Sequence, residues 1–82
     1  MKKEHLMRGF KRSEIIEFFI ENGARFNEAG LMIGRGFKVF IGDESAVPIG
    51  RFFITEVKVV VSGVDLNEIE KKFFYKFLRA GG

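Results

Sequence analysis

At 82 residues and a formal net charge of +3, the chain has the size of one small domain. Its 46% apolar content, with eleven phenylalanines, permits a core without a metal or a cross-link. The absence of cysteine excludes disulfide frameworks, cysteine-ligated zinc and thiol catalysis.

No apolar run approaches the roughly 18 residues of a membrane span. The first residues are charged and lack the apolar stretch of a signal peptide. The expectation is a soluble cytoplasmic protein with no membrane partner. Gln is absent, Asn occurs three times and 30% of residues are charged, a composition that suits a thermophile.

The positive charge is concentrated at one end. Lys2, Lys3, Arg8, Lys11 and Arg12 stand against Glu4 alone, whereas residues 13–82 hold nine basic and ten acidic residues. Residues 1–11 show no clean period and read as a basic N-terminal arm, with a single α+β domain over 12–82. Removing the arm is expected to leave the fold intact.

The first helix is expected over 13–22. Ser13 is its candidate N-cap, Glu14 and Glu17 favour the first turn, and Ile15, Ile16, Phe19 and Ile20 recur at helical spacing with Phe18 off the stripe. Asn22-Gly23 is the stop signal. A short strand over 24–28 with Phe26 inward is followed by a turn at Asn27–Gly30 and an apolar run at Leu31–Ile33. Gly34-Arg35-Gly36 reads as a hairpin turn or bulge. It matches no phosphate loop and leads into a strand, so anion binding at a helix start is not expected there. Phe37–Ile41 is a strand, and residues 42–50 read as a loop closed by Pro48-Ile-Gly50.

Arg51–Ser62 is the long strand, rich in β-branched residues. Phe53, Thr55, Val57, Val59 and Val61 lie on one face, and Phe52, Ile54, Glu56, Lys58 and Val60 on the other. Asp65-Leu-Asn-Glu68 fits a capping box. The last helix then runs to about Arg79, with Leu66, Ile69, Phe73, Phe74 and Phe77 on its apolar side and Tyr75 off it. Gly81-Gly82 follow.

Short glycine turns favour antiparallel neighbours, since parallel strands need long crossovers. The expected fold is an α+β two-layer sandwich. A three- to four-stranded antiparallel meander carries two helices on one face, in the order α-β-β-β(-β)-α.

The helix–meander–helix order resembles the double-stranded RNA-binding domain and HicA-type mRNA-interferase toxins. Ser13-Glu-Ile-Ile-Glu-Phe-Phe-Ile-Glu-Asn-Gly23 is similar to the opening helix of those toxins. Their strand histidine has no counterpart in Gly34-Arg-Gly-Phe37. The basic cluster that opens the last helix of the RNA-binding modules is replaced by Asp65, Glu68 and Glu70. Half-repeats of TATA-binding-protein-like folds are a further two-layer analogue. These likenesses are of topology, and topology does not assign function.

No constellation for nucleophilic, acid–base or metal chemistry stands out, and no cofactor or small-molecule ligand is indicated. His5 is the single histidine. Two surfaces are candidates instead. Two helices cover one face of a small sheet, so Phe52, Ile54 and Val60 on the other are expected to mediate self-association as a homo-oligomer or to bind a partner. Lys2, Lys3, Arg8, Lys11, Arg12, Arg35, Lys38 and Lys58 form the alternative, a nucleic-acid surface with interleaved aromatics. A small enzyme is the third reading, and it would need a concave polar pocket.

Overall fold

The computed structural model describes residues 1–78. They form a two-layer α+β fold: one antiparallel sheet with both helices on one face. The elements are β1 (Lys2–Arg8), α1 (Arg12–Glu21), β2 (Arg25–Phe26), β3 (Met32–Ile33), β4 (Phe37–Ile41), β5 (Ser45–Ile49), β6 (Phe52–Gly63) and α2 (Asn67–Phe73), which passes into a π-helical turn at Phe74–Leu78. The expected helix end at Arg79 lies outside the described residues.

Strand β6 is the spine. β1 pairs along one edge of it, from Lys2 opposite Ser62 to Arg8 opposite Glu56. On the other edge β4 and β5 lie in series, and β3 and β2 continue outward from β4. The sheet therefore has six strands rather than three or four, and a strand precedes the first helix.

Residues 1–11 are thus not an arm outside the domain. His5 and Met7 stand opposite Val59 and Val57, on the helix side, and Met7 is buried. The sequence masks this strand because Met7 is its one buried side chain.

The core joins alternate residues of the sheet to the two helices. Val57, Val59 and Val61 of β6, Phe37, Val39 and Ile41 of β4, and Met32 of β3 are buried against Ile15, Phe18 and Phe19 of α1 and Ile69 and Phe73 of α2. The ring of Phe18 lies 5.6 Å from that of Phe73 and 5.4 Å from that of Phe77, so the helices meet over the same face of the sheet. Each such ring contributes about 1.5–3 kcal/mol by leaving water.

This packing corrects two helix stripes. Phe18 is inside and Ile20 exposed, because Phe18 is the residue that reaches the aromatic pair on α2. On α2 the buried set is Leu66, Ile69, Phe73 and Phe77. Phe74, next in sequence to Phe73, turns outward.

The helix ends also differ from the expected caps. α1 begins one residue before Ser13, with Lys11 as N-cap residue. The Glu14 carboxylate accepts the Lys11 N–H at 3.0 Å, and Glu44 accepts that of Arg12 at 2.7 Å. At α2 Leu66 holds the cap position; Asp65 accepts the Asn67 N–H at 3.1 Å, and Glu68 pairs with Lys72 at 3.2 Å. The stop at Asn22-Gly23 is as expected: Asn22 is the C-cap and Gly23 has φ of +91°, a conformation that favours glycine.

Candidate functional site

Residues 42–50, read as a loop, contain β5 and a bulge that decides which side chains face out. Ile41 stands opposite Val59, and Ser45 opposite Glu56. The three residues Gly42–Glu44 therefore span a gap filled on β6 by Val57 and Lys58 alone. One extra residue reverses every later side chain. Without it Val47 and Ile49 would continue the buried row of Val39 and Ile41. With it, they join Ile54 and Phe52 on the outer face. Pro48 is tolerated because, among the described residues, no strand pairs with the far side of β5.

The bulge is tied to α1. Besides the Arg12 N–H to Glu44 bond, the Arg12 guanidinium donates to the carbonyls of Gly42 at 3.0 Å and Ile41 at 3.3 Å.

The outer face carries two apolar clusters. Phe52, Ile54, Val47 and Ile49 form one on the hairpin, and Val60 with Phe40 the other. Between them lie Leu6 beside Lys58 and the pair Arg8–Glu56, whose nitrogen and oxygen are 2.8 Å apart. Of the three expected residues, Phe52 is 77% exposed, while Ile54 and Val60 are half-buried. All three share the face, but Val60 sits in the second cluster. Val47, Ile49 and Leu6 were missing from the sequence reading. The first two required the bulge to be known, and Leu6 required β1.

Phe53 departs from expectation. It shares a face with Val57, yet it is 73% exposed. With Phe52 it leaves the hairpin tip apolar on both sides.

The basic residues are dispersed. Lys2, Arg8, Lys38 and Lys58 lie on the outer face, with Lys2 and Lys38 flanking Ser62. Lys3 is on the helix side opposite Val61. Lys11 precedes α1, Arg12 holds the bulge, and Arg35 is in the turn between β3 and β4. Lys2 lies 3.6 Å from Glu4.

Two clefts flank α2 on the helix side. One, about 270 Å³, is lined by Asn22, Arg35, Phe37, Asp65, Glu68, Ile69 and Lys72. The other, about 480 Å³ and open, lies between β1 and α2; it includes Lys3, His5, Glu70, Lys71 and Phe74. His5 Nε2 is 2.9 Å from Glu70 Oε1, and the imidazole rests on the Phe73 ring at 4.8 Å. Histidine and carboxylate are thereby each other's partner. Among the described residues no three potential metal ligands converge, no polar side chain is fully buried, and no helix is long and apolar enough to cross a membrane. The distinctive surface is the exposed apolar one, suited to docking.

Comparisons with curated proteins and with solved structures give no match. The sequence model described as Archaeal MoaD-like protein matches residues 3–82, which include both helices and nearly all of the sheet. With that span covered, the chain belongs to the family of archaeal MoaD-like proteins.

Proposed function

We propose that this protein is a small non-enzymatic carrier in sulfur transfer that docks on partner enzymes through the outer face of its sheet. Family membership carries the first part, since MoaD-like proteins typically carry sulfur rather than catalyse. The exposed Phe52, Ile49, Leu6 and Phe40 support the second.

The composition narrows the chemistry. The chain has no cysteine, so it has no side chain on which to hold a persulfide. A carboxylate remains as the group that could hold sulfur, as a thiocarboxylate. Activation by a nucleoside triphosphate would form an acyl-adenylate and release pyrophosphate. A sulfide-level donor would then displace the nucleoside monophosphate, leaving a thiocarboxylate.

Intact mass spectrometry of the protein recovered from its own host tests this reading. The expected result is a population heavier by the exchange of one oxygen for one sulfur, mapped by fragmentation to a carboxyl group. Sulfur absent, or located elsewhere, overturns it.

A second reading rests on Phe40. Lys38 precedes it on β4, and Lys58 and Lys2 share its face, an arrangement that suits base stacking and phosphate contact. A mobility shift with generic RNA and DNA that weakens steeply with salt would support it. Its absence at low salt would remove it.

A further inference from the structure

The hairpin formed by β5 and β6 has two unlike edges. On the β5 edge Pro48 has no N–H to give, and the Gly42–Glu44 bulge breaks the run. Both features discourage a further strand. The β6 edge has neither. β1 covers it only as far as Glu56, with one more bond beyond, from the Gly9 N–H to the Thr55 carbonyl at 2.8 Å.

Alternate residues of a strand aim their N–H and C=O groups to the same side. Those of Phe53 therefore point the same way as the Thr55 carbonyl, past the end of β1. No described strand pairs with this edge at Phe53.

We propose that two copies of the chain associate by antiparallel pairing of this free β6 segment about a twofold axis at Phe53. In that register each Phe53 N–H donates to the Phe53 carbonyl of the other copy. Phe52 faces Ile54 of the second copy, and the pairing is confined to residues 52–54, because Arg51 lies in the hairpin turn and the Thr55 carbonyl is held by Gly9. The Phe53 rings meet on the helix side and the Phe52–Ile54 pairs on the outer side. The surface is thus self-complementary, as a twofold interface requires.

The available area is of the right order. Phe52 and Phe53 are 77% and 73% exposed, and Ile49 is 49% exposed. An aromatic side chain offers about 150–250 Å². The tip therefore supplies several hundred Å², against the roughly 800 Å² that one side of a standard interface buries. The proposal does not depend on sulfur carriage.

Sedimentation equilibrium of the full chain is the test, with Phe53→Glu and, as a remote exposed control, Phe74→Glu. The expected species has twice the 9.4 kDa chain mass. Phe53→Glu should weaken the dimer at least tenfold, and Phe74→Glu should leave it unchanged. Amide exchange on the unsubstituted protein gives a readout free of any folding defect: protection of the Phe53 N–H should fall as the protein is diluted. A monomer at every concentration up to submillimolar, a dimer indifferent to Phe53→Glu, or a Phe53 amide that exchanges freely in the dimer would each overturn the proposal.

Discussion

His5 of β1 and Glu70 of α2 are joined by a hydrogen bond of 2.9 Å, which ties the first strand to the last helix across 65 positions of sequence. Each side chain is largely covered, at 23% and 19% exposure, and Phe73 lies beneath the imidazole. The pair links the two layers where β1 forms an edge of the sheet. His5→Ala is expected to cost about 1–3 kcal/mol, combining a hydrogen bond to a charged group with a ring contact. Denaturant titration of His5→Ala, Glu70→Gln and the double variant would show non-additivity of about 0.5 kcal/mol or more if the two act as a unit.

Removal of residues 1–8 should unfold the protein. It would strip a seven-residue strand from β6, expose one side of Val57, Val59 and Val61, and take Met7 from the core. Met7→Ala alone should cost about 2–5 kcal/mol. Retention of a cooperative thermal transition by the truncated chain would show that β1 is dispensable.

The β6 valines and the stop at Gly23 were legible in the sequence because one local signal decides each. Val57, Val59 and Val61 fall at alternate positions of one long β-branched run, and only glycine readily takes the φ that ends α1. The rest depended on partners distant in sequence. β1 has one buried side chain, too few to mark a period. Helical spacing put Ile20 on the α1 stripe and Phe18 off it, and only the rings of Phe73 and Phe77 select Phe18 instead. β5 carries Pro48 and follows a polar stretch, and its outward apolar residues are set by a bulge that no alternation rule reports. The candidate docking face was legible at Phe52 for the same reason as the core valines, and was incomplete wherever β1 or β5 contributes.

Phe73→Ala should destabilise by about 3–5 kcal/mol, the usual range for truncating a buried ring. Phe73 contacts the rings of His5, Phe18, Phe19 and Phe77, so its loss opens a cavity bordered by both helices and the sheet. Phe74→Ala, one residue along, should cost under about 1 kcal/mol because that ring is half exposed. Equal losses at the two positions, measured by urea midpoints, would contradict the stripe assigned to α2.

Gly63→Ala should destabilise although the residue lies in a strand, where alanine is ordinarily no worse. An added Cβ would run into the carbonyl oxygen of Gly36 and come within 3.1 Å of Phe37 Cα. Both are backbone atoms, so relief requires the β4 turn to move. Overpacking of this kind costs about 1–3 kcal/mol. An unchanged melting temperature would mean that the turn yields freely.

Arg12 separates a structural role from a nucleic-acid role. Its guanidinium serves two carbonyls of the β4–β5 connection, and its N–H is received by Glu44 from that same connection, which thereby supplies an acceptor at the start of α1. A carboxylate there also meets the positive end of the helix. Arg12→Ala should therefore cost about 1.5–3 kcal/mol, as expected for hydrogen bonds from a charged donor. Glu44→Ala should cost about 0.5–2 kcal/mol, as for a lost cap. Lys11→Ala, whose side chain is exposed, should be near neutral. The loss at Arg12 should also loosen the bulge, so the amides of Ser45–Ile49 should exchange faster in Arg12→Ala than in Lys11→Ala. Equal exchange in the two variants would detach the hairpin from α1 and return Arg12 to the pool of surface cations.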